Sequence, residues 1–313
     1  MTSIEVLAPG LFSTVQDRGR EGYGRLGISP AGAADTIALR LANRLAGNDE
    51  GAAAIEMTLL GGAFRFEGDA LIALAGCELG ATLDGDALAP WTSRTVRPGQ
   101  ILRCGMARSG ARAYLAVQGG IAVPSVLGSA STHAPSGLGG MEGRALRAGD
   151  RLPVGEVRPP AAPRRVNPAM LAGLAPRRTL RVTEGPQAEH FAPEARELLA
   201  RTAYTVREDS DRMGLRLSGA RIAQAPSGGM VTQGVPPGAV QVPPGGEPII
   251  LFVDQQTTGG YPVIASVISA DLTSVAQLRP RDAIRFEAVP LAEARALFLE
   301  QEARLRSPDL FLA

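Results

Sequence analysis

A short pattern recurs three times along this chain and constrains its fold more than any other feature. It reads VRPGQILR at residues 96–103, LRAGDRLP at 146–153 and LRPRDAIR at 278–285. Each copy has an aliphatic residue, an arginine, a turn, and then Asp or Gln before an apolar strand start. Residues 14–29 and 205–219 also share arginines and glycines in a similar order. Because the copies fall in both halves of the chain, they predict two similar β-rich domains.

Turn-forming residues are abundant throughout the chain. The 38 glycines and 24 prolines make up about a fifth of the 313 residues, which predicts many tight turns between short strands. Residues 153–178 are rich in Pro, Ala and Arg and lack a periodic apolar pattern, which is typical of a linker. We therefore predict a first domain at 1–155, a linker at 156–177 and a second domain at 178–313.

Helices are predicted at few places, so the predicted fold class is mainly β with a few helices. Apolar residues at four-residue spacing predict a helix over 34–46, and Pro290 is favoured at the start of a C-terminal helix. Asp271 is expected to cap a short helix. Glu56 interrupts an apolar run, so its carboxylate needs a partner, and we expect an arginine from the loop at 18–25.

The stretch from 248 to 268 places a dense group of polar side chains between two predicted strands. The apolar runs 249–253 and 263–268 are rich in β-branched residues and predict buried strands. Between them lie Asp254, Gln255, Gln256, Thr257, Thr258, a glycine pair and Tyr261. Polar side chains at the end of a rigid strand are typical of binding sites, whereas a hydrogen-bonded hairpin loop uses the same residue types. The residues alone leave both interpretations open.

Two segments combine arginine with glycine. The first, at 16–27, places three arginines among four glycines, and the second spans 210–216. Backbone N–H groups and guanidinium groups in such loops bind anions. A solvated turn with a local pair of Asp17 and Arg20 accounts for the first segment as well.

The segment at 129–144 carries serines, His133 and a run of glycines before Arg144. It lacks the Gly-x-Ser-x-Gly nucleophile motif and the third glycine of a dinucleotide fingerprint. His133 has no acid partner close in sequence, although a proton-transfer or binding role stays open. With His190 as the only other histidine, a multi-histidine metal site is excluded.

All 32 basic residues are arginine, and this excludes several kinds of site. A chain without lysine has no Schiff-base lysine, no phosphate-binding loop of the Gly-Lys-Ser type and no covalently bound biotin. The net charge of +1 provides no broad field for nucleic acid or an anionic membrane. We expect a soluble, cytoplasmic protein, because no signal peptide or spanning apolar run is visible. Cys77 and Cys104 are expected to be reduced core thiols, with a disulfide left open.

Four motifs together resemble one protein family across nearly the whole chain. They are VQDRGREGYGRLGISPAGAAD, the GSAST and GLGGMEGR run, SDRMGLRL, and DQQTTGGYPVIASVISADL, and they occur in the family's order. The chain is identified as similar to the family that includes the C-type subunit of 5-oxoprolinase, allophanate hydrolase subunit 2 and biotin-dependent carboxyltransferase domain proteins.

The resemblance implies two tandem cyclophilin-like β-barrel domains and an enzyme that works as a complex. The implied partners are the B-type and A-type subunits of 5-oxoprolinase. The implied reaction converts 5-oxo-L-proline, ATP and water to L-glutamate, ADP and phosphate, with ATP and Mg held in the complex. The chain itself is expected to be inactive alone.

Roles within this implied reaction fall on residues of the matching motifs. Arg20, Arg144 and Arg212 are expected to bind an anionic group. Gln255, Thr257, Thr258 and Tyr261, with Asp254, are expected to hydrogen-bond a cyclic amide or ureido ring. Asp17 and Asp254 are the candidate carboxylates for proton transfer.

The resemblance leaves two alternatives to the 5-oxoprolinase interpretation. One is a component of a biotin-dependent carboxyltransferase of the urea carboxylase type, which would receive biotin from another chain. The other is a non-catalytic regulator that binds a B-type partner resembling a kinase inhibitor. The sequence does not separate these three functions.

Overall fold

The computed structural model describes residues 2–156, 162–224 and 230–312. In chain order the elements begin with β1 (Ser3–Ala8), β2 (Phe12–Gln16), α1 (Thr36–Leu45), β3 (Ala54–Thr58), β4 (Ala63–Phe66), β5 (Ala70–Glu78), β6 (Thr82–Leu83), β7 (Asp86–Ala87), β8 (Thr92–Val96), β9 (Ile101–Arg103), β10 (Ser109–Val117), β11 (Arg151–Pro153), β12 (Arg165–Val166) and α2 (Pro168–Ala172). They continue with β13 (Thr179–Glu184), α3 (Pro193–Arg201), β14 (Tyr204–Val206), β15 (Gly214–Ser218), β16 (Gln233–Gly234), β17 (Ala239–Gln241), β18 (Ile249–Leu251), β19 (Thr258–Gly259), β20 (Val263–Val267), α4 (Leu272–Ala276), β21 (Ala283–Ala288), α5 (Leu291–Leu305) and β22 (Phe311–Leu312). The prediction of a mainly β fold with a few helices is confirmed.

The chain forms two compact units that exchange short segments of sequence. The first unit contains Met1–Glu21, Ala31–Gly173 and Pro308–Ala313, and the second contains Gly22–Pro30 and Leu174–Ser307. Within the predicted linker, β12 and α2 belong to the first unit, while residues 157–161 lie outside the described residues. The predicted domain boundaries at 155 and 178 stay a prediction.

Two sheets form the described part of the first unit. One has the strand order β11-β1-β4-β9-β6-β7 and the other the order β2-β3-β10-β5-β8-β12-β22. Apolar side chains from both sheets share one buried core, which includes Ile4, Phe64, Ile72 and Leu115. On β5 the apolar run is continuous rather than alternating, because α1 also packs against β5 and β10.

The last strand of the first unit is provided by residues close to position 312. β22 pairs with β12, which also pairs with β8. The ring of Phe311 lies 4.8 Å from the guanidinium carbon of Arg44 and 5.0 Å from that of Arg164. These cation–π contacts hold the strand against the rest of the unit.

The second unit contains a closed barrel with the order β13-β20-β17-β18-β15-β14-β21 among the described strands. A parallel pairing of β13 with β21 closes it. The rings of Tyr204 and Phe286 meet inside with centroids 5.8 Å apart. β18 and β20 both pair with β17 rather than with each other, so the polar residues between them do not form a simple hairpin loop.

Buried acidic side chains take partners that sequence spacing did not indicate. Glu56 accepts hydrogen bonds from the backbone N–H of Ala34 (2.9 Å) and the hydroxyl of Tyr114 (2.6 Å), and its arginine neighbour, 3.9 Å away, is Arg112 on β10. Asp271 was expected to cap a helix, but it makes no cap hydrogen bond. Its carboxylate instead accepts from the backbone N–H (2.8 Å) and Nε (3.0 Å) of Arg181.

Both cysteines are free and buried, as predicted. Burial raises the pKa of each thiol to about 12, so the thiolate is scarce at neutral pH and reactivity is low. No helix in the described ranges is long and apolar enough to cross a membrane.

The threefold sequence repeat folds into the same turn each time. The arginine N–H donates to the side chain three residues later, and that residue's N–H donates back to the arginine carbonyl: Arg97 with Gln100 (2.9 and 3.2 Å), Arg147 with Asp150 (2.7 and 3.2 Å), and Arg279 with Asp282 (2.6 and 3.1 Å). The third residue of the turn, counted from the arginine, always has a positive φ: 86° at Gly99, 90° at Gly149 and 71° at Arg281. A positive φ at this position is the requirement of a type II turn, and a strand begins directly after the turn in each copy.

In the third copy of the repeat, the turn position with positive φ is occupied by Arg281 rather than by glycine. We expect Arg281→Gly to raise the free energy of unfolding by about 0.5 kcal/mol, because relief of backbone strain exceeds the added entropy of the unfolded chain. Its ion pair with Glu208 is exposed and contributes little. Urea denaturation measures the change.

Gly149→Ala is the matched control for this prediction. An added Cβ at Gly149 meets nothing within 4 Å, so the substitution tests φ alone and is expected to cost about 1 kcal/mol. Equal effects of the two substitutions, in sign and size, would contradict the assignment of strain to the third turn position.

Candidate functional site

Asp17, at the end of β2, orders the loop that contains the first candidate site. Its Oδ1 accepts hydrogen bonds from the N–H of Gly19 (2.8 Å) and the hydroxyls of Ser129 (2.6 Å) and Ser131 (2.5 Å). Its Oδ2 accepts from the N–H of Ala130 (2.6 Å). The two carboxylate oxygens together accept from four donors, and the carboxylate therefore fixes the backbone at 129–131. The sequence predicted proton transfer for Asp17 but not this structural role.

Arg20 lies beneath this loop with its side chain almost fully buried. Its Nη2 donates to the carbonyl of Ser131, and its Nε lies 3.5 Å from the carbonyl of Val126. Gly139 and Gly140 cross the same loop so closely that an added Cβ would overlap the Ser131 carbonyl or the Thr132 hydroxyl, respectively. Glycine at positions 139 and 140 is therefore required for the packing around Arg20.

Gln16 and His133 lie beside the same loop. The Gln16 amide nitrogen donates to the Thr14 hydroxyl and to the Thr132 carbonyl, both at 3.0 Å. The backbone of His133 pairs with that of Leu138 in both directions, at 2.8 and 3.2 Å. Gln16 was not predicted as a site residue, because a single amide at the end of a strand gives no sequence signal.

Arg144 is engaged by acidic neighbours. Its two terminal nitrogens bind Asp150 as a bidentate pair (2.8 and 3.0 Å), and its Nε lies 3.2 Å from Glu142. The hydrogen bonds from Arg144 lower the pKa of Asp150. A bound anion would therefore compete with two carboxylates for this guanidinium, and the anion-binding role of Arg144 stays a prediction.

We expect Asp17→Asn to lower the free energy of unfolding by about 2 kcal/mol, because the amide turns a donor toward groups that are themselves donors. The exposed Asp86 on β7 provides the control, and Asp86→Asn should change stability by less than about 0.5 kcal/mol. Denaturant titration of the folded chain measures both. Unchanged stability of the Asp17 variant would remove the case for its loop-ordering role.

In the second unit, Arg212 and Asp254 form a buried bidentate ion pair. The Arg212 Nε and Nη2 lie 2.8 and 3.2 Å from the two carboxylate oxygens, and both residues are less than 10% exposed (8% and 4%). The backbone N–H of Asp254 also donates to the carbonyl of Arg212 (2.9 Å). The pair ties the loop before β15 to the polar stretch after β18.

The other predicted residues of this stretch divide into buried and exposed groups. Gln255 is buried, whereas Thr258 and Tyr261 are exposed. Thr258 belongs to β19, which pairs with β16, and the carbonyl of Thr257 accepts from Val235 N–H (3.1 Å). Thr258 and Tyr261 therefore have exposed side chains available for a ligand.

Gln241 on β17 is a buried residue of this region that the sequence did not indicate. Its amide nitrogen donates to the Tyr261 carbonyl (3.2 Å), and its oxygen lies 3.5 Å from the amide of Gln256. Gly259 lies so close that an added Cβ would overlap the Gln241 amide. The glycine thus permits a close approach of the loop to the barrel.

The two arginine-and-glycine segments share a local hydrogen-bonding pattern. Asp17 accepts from the N–H two residues later, and Asp211 does the same with Met213 (2.8 Å). A buried arginine follows in each case, Arg20 in the first unit and Arg212 in the second. The loose sequence echo between 14–29 and 205–219 therefore corresponds to an Asp-stabilised turn with a buried guanidinium, which follows the turn at Arg20 and lies within it at Arg212.

Breaking the buried pair in the second unit should be costly. We expect Asp254→Asn to lower the free energy of unfolding by about 3 kcal/mol, because Arg212 keeps its charge without its carboxylate partner. Adding Arg212→Met should recover part of this loss. Strictly additive losses in the double-mutant cycle would show that the two side chains are not coupled.

A sequence model described as "Carboxyltransferase domain, subdomain A and B" matches residues 26–288 of this chain. The chain belongs to this carboxyltransferase-domain family. The C subunit of 5-oxoprolinase from Escherichia coli (strain K12) is 40% identical over 293 residues, which cover 93% of each chain. Urea amidolyase of Saccharomyces cerevisiae is 35% identical over 98% of this chain and 18% of its own length.

The fold of this carboxyltransferase-domain protein also matches solved structures. The crystal structure of the K. lactis urea amidolyase aligns with a TM-score of 0.90 and 33% identity. The alignment covers 99% of this chain and 21% of that chain. The chain therefore spans about a fifth of the amidolyase, and nearly the whole of the E. coli 5-oxoprolinase protein.

Proposed function

We propose that this chain is the C-type subunit of an ATP-dependent 5-oxoprolinase. The complex would convert 5-oxo-L-proline, ATP and water to L-glutamate, ADP and phosphate in the cytoplasm. The observation that carries the proposal is the reciprocal coverage of 93% with the E. coli protein of that name. The match extends over nearly the whole of that relative, whereas the match to urea amidolyase covers 18% of that enzyme.

The proposal assigns nucleotide binding to the partners, the A-type and B-type subunits. This chain has no lysine for nucleotide phosphates. In the described ranges no group of three or more His, Cys, Asp or Glu side chains is placed to hold a metal ion. We propose that ATP with Mg is bound in the complex with the partner subunits. When bound in the complex, ATP would supply the free energy for opening the ring.

The chain's own contribution would be to bind and orient the substrate. Arg20 and Arg144 in the first unit and Arg212 in the second are each proposed to bind an anionic group, and Gln255, Thr257, Thr258 and Tyr261 are proposed to hydrogen-bond the ring. Asp17 and Asp254 are proposed for proton transfer, although both already accept hydrogen bonds that order their loops. A surface of amides, hydroxyls and paired charges suits binding better than activation of water.

A second candidate function is a component of a biotin-dependent carboxyltransferase. The family description and the TM-score of 0.90 with urea amidolyase favour it. Because the chain lacks lysine, biotin would have to be attached to another protein. The two functions differ in their requirement, since the first needs 5-oxoproline with ATP and the second needs a carboxybiotin carrier.

Reconstitution separates these functions. We expect the purified chain alone to release no phosphate from ATP, and the chain with its A-type and B-type partners to release glutamate from 5-oxo-L-proline. Omission of each protein in turn is the control. Substrate-dependent ATP hydrolysis by the single chain would contradict the proposal, and activity that requires a biotinylated carrier instead would favour the second candidate.

A further inference from the structure

His133 carries a buried imidazole whose polar atoms are unsatisfied. The residue is 6% exposed. Within residues 2–156, 162–224 and 230–312, neither Nδ1 nor Nε2 has a hydrogen-bond partner. A buried polar group without a partner destabilises the fold, so such groups are rare in native structures unless they serve another purpose.

A second buried side chain, at the end of β2, also carries an unsatisfied polar atom. The Gln16 side chain is fully buried, and its Oε1 also lacks a partner within the described parts of the chain. Its orientation is determined, because the amide nitrogen donates to the carbonyl of Thr132, a group that only accepts. That carbonyl belongs to the peptide group joining Thr132 to His133. Gln16 and His133 therefore flank one peptide unit.

This pair is held rigidly before any ligand arrives. Thr132 is fixed to β2 by two bonds to the Val15 carbonyl, from its N–H (2.9 Å) and its hydroxyl (3.0 Å). The preceding residues are fixed by Asp17, and the following ones by the backbone pairing of His133 with Leu138. Ordered donors and acceptors of this kind lower the entropic cost of binding.

We infer that Gln16 and His133 together bind the N–H and C=O edge of a lactam or ureido ring. A neutral imidazole presents one donor and one acceptor, and the Gln16 oxygen presents a further acceptor. A cyclic amide edge offers the complement, one N–H and one carbonyl oxygen. The inference rests on the proposed function for the identity of the natural ligand, and it assigns recognition of the ring's amide edge to residues of the first unit.

The ring nitrogens of His133 can be observed directly, because the chain contains two histidines. ¹⁵N NMR of the chain, alone and with its B-type partner, would follow both imidazoles, and His190→Leu assigns the signals. We expect 5-oxo-L-proline and 2-pyrrolidinone to shift the His133 ring nitrogens. L-Proline keeps the ring and the carboxylate but lacks the lactam, and it should shift neither histidine. Biotin, as the ureido probe, distinguishes the two ring classes.

Variants separate this role from a structural one. His133→Leu removes two unsatisfied atoms, so the melting temperature should stay unchanged or rise, whereas a structural histidine would lower it. In the reconstituted complex we expect the KM for 5-oxo-L-proline to rise about tenfold, the effect of losing roughly one hydrogen bond. His133→Gln should restore part of this loss. His190→Leu, at a partly exposed position in the second unit, should leave KM unchanged.

The outcomes distinguish the inference from the proposed function. Lactam-dependent shifts at His133 without 5-oxoprolinase activity would support the binding site and remove the proposed reaction. An active complex in which His133→Leu keeps the wild-type KM would overturn the inference and leave the reaction intact. Absence of any shift in both the chain and the complex would also overturn it, since the two residues would then hold solvent only.

Discussion

Short strands leave many backbone N–H groups outside the ladders, and these groups bond to acceptors other than a neighbouring strand. In this protein the acceptor is repeatedly an acidic side chain. Asp150 and Asp282 each accept from the N–H three residues earlier, and Asp17 and Asp211 from the N–H two residues later. These carboxylates set the paths of the loops. The turns at Asp17 and Asp211 lie next to Arg20 and Arg212, so the placement of these two candidate site residues depends on acidic side chains.

Local features of the fold were predictable from the sequence. The threefold repeat was correctly interpreted as a turn before a strand, because a type II turn needs a positive φ at one position and an acceptor at the next. The helix over 34–46 corresponds to α1, and the runs at 249–253 and 263–268 contain β18 and β20. Each of these elements depends on residues within one turn or on one face, so residues close together in the sequence are enough to predict it.

Pairings between distant segments were not predictable. The arginine nearest Glu56 lies on β10, which is a neighbour of β3 only through the strand order. The ion pair of Asp254 with Arg212 and the bond from Gln16 to Thr132 likewise join residues far apart in the chain. The sequence indicated which residue types belong to the candidate site, but it could not indicate which acid satisfies which donor. Gln16 shows this limit most clearly, since only tertiary structure distinguishes it.

The return of β22 to the first unit has a consequence for biosynthesis. A ribosome releases residues 174–307, the bulk of the second unit, before it releases the strand that pairs with β12. Until then one edge of the larger sheet in the first unit lacks its final neighbour, and Arg44 and Arg164 lack the aromatic ring between them. An open edge invites pairing with other chains. The nascent protein is therefore most exposed to misassembly during synthesis of its second unit.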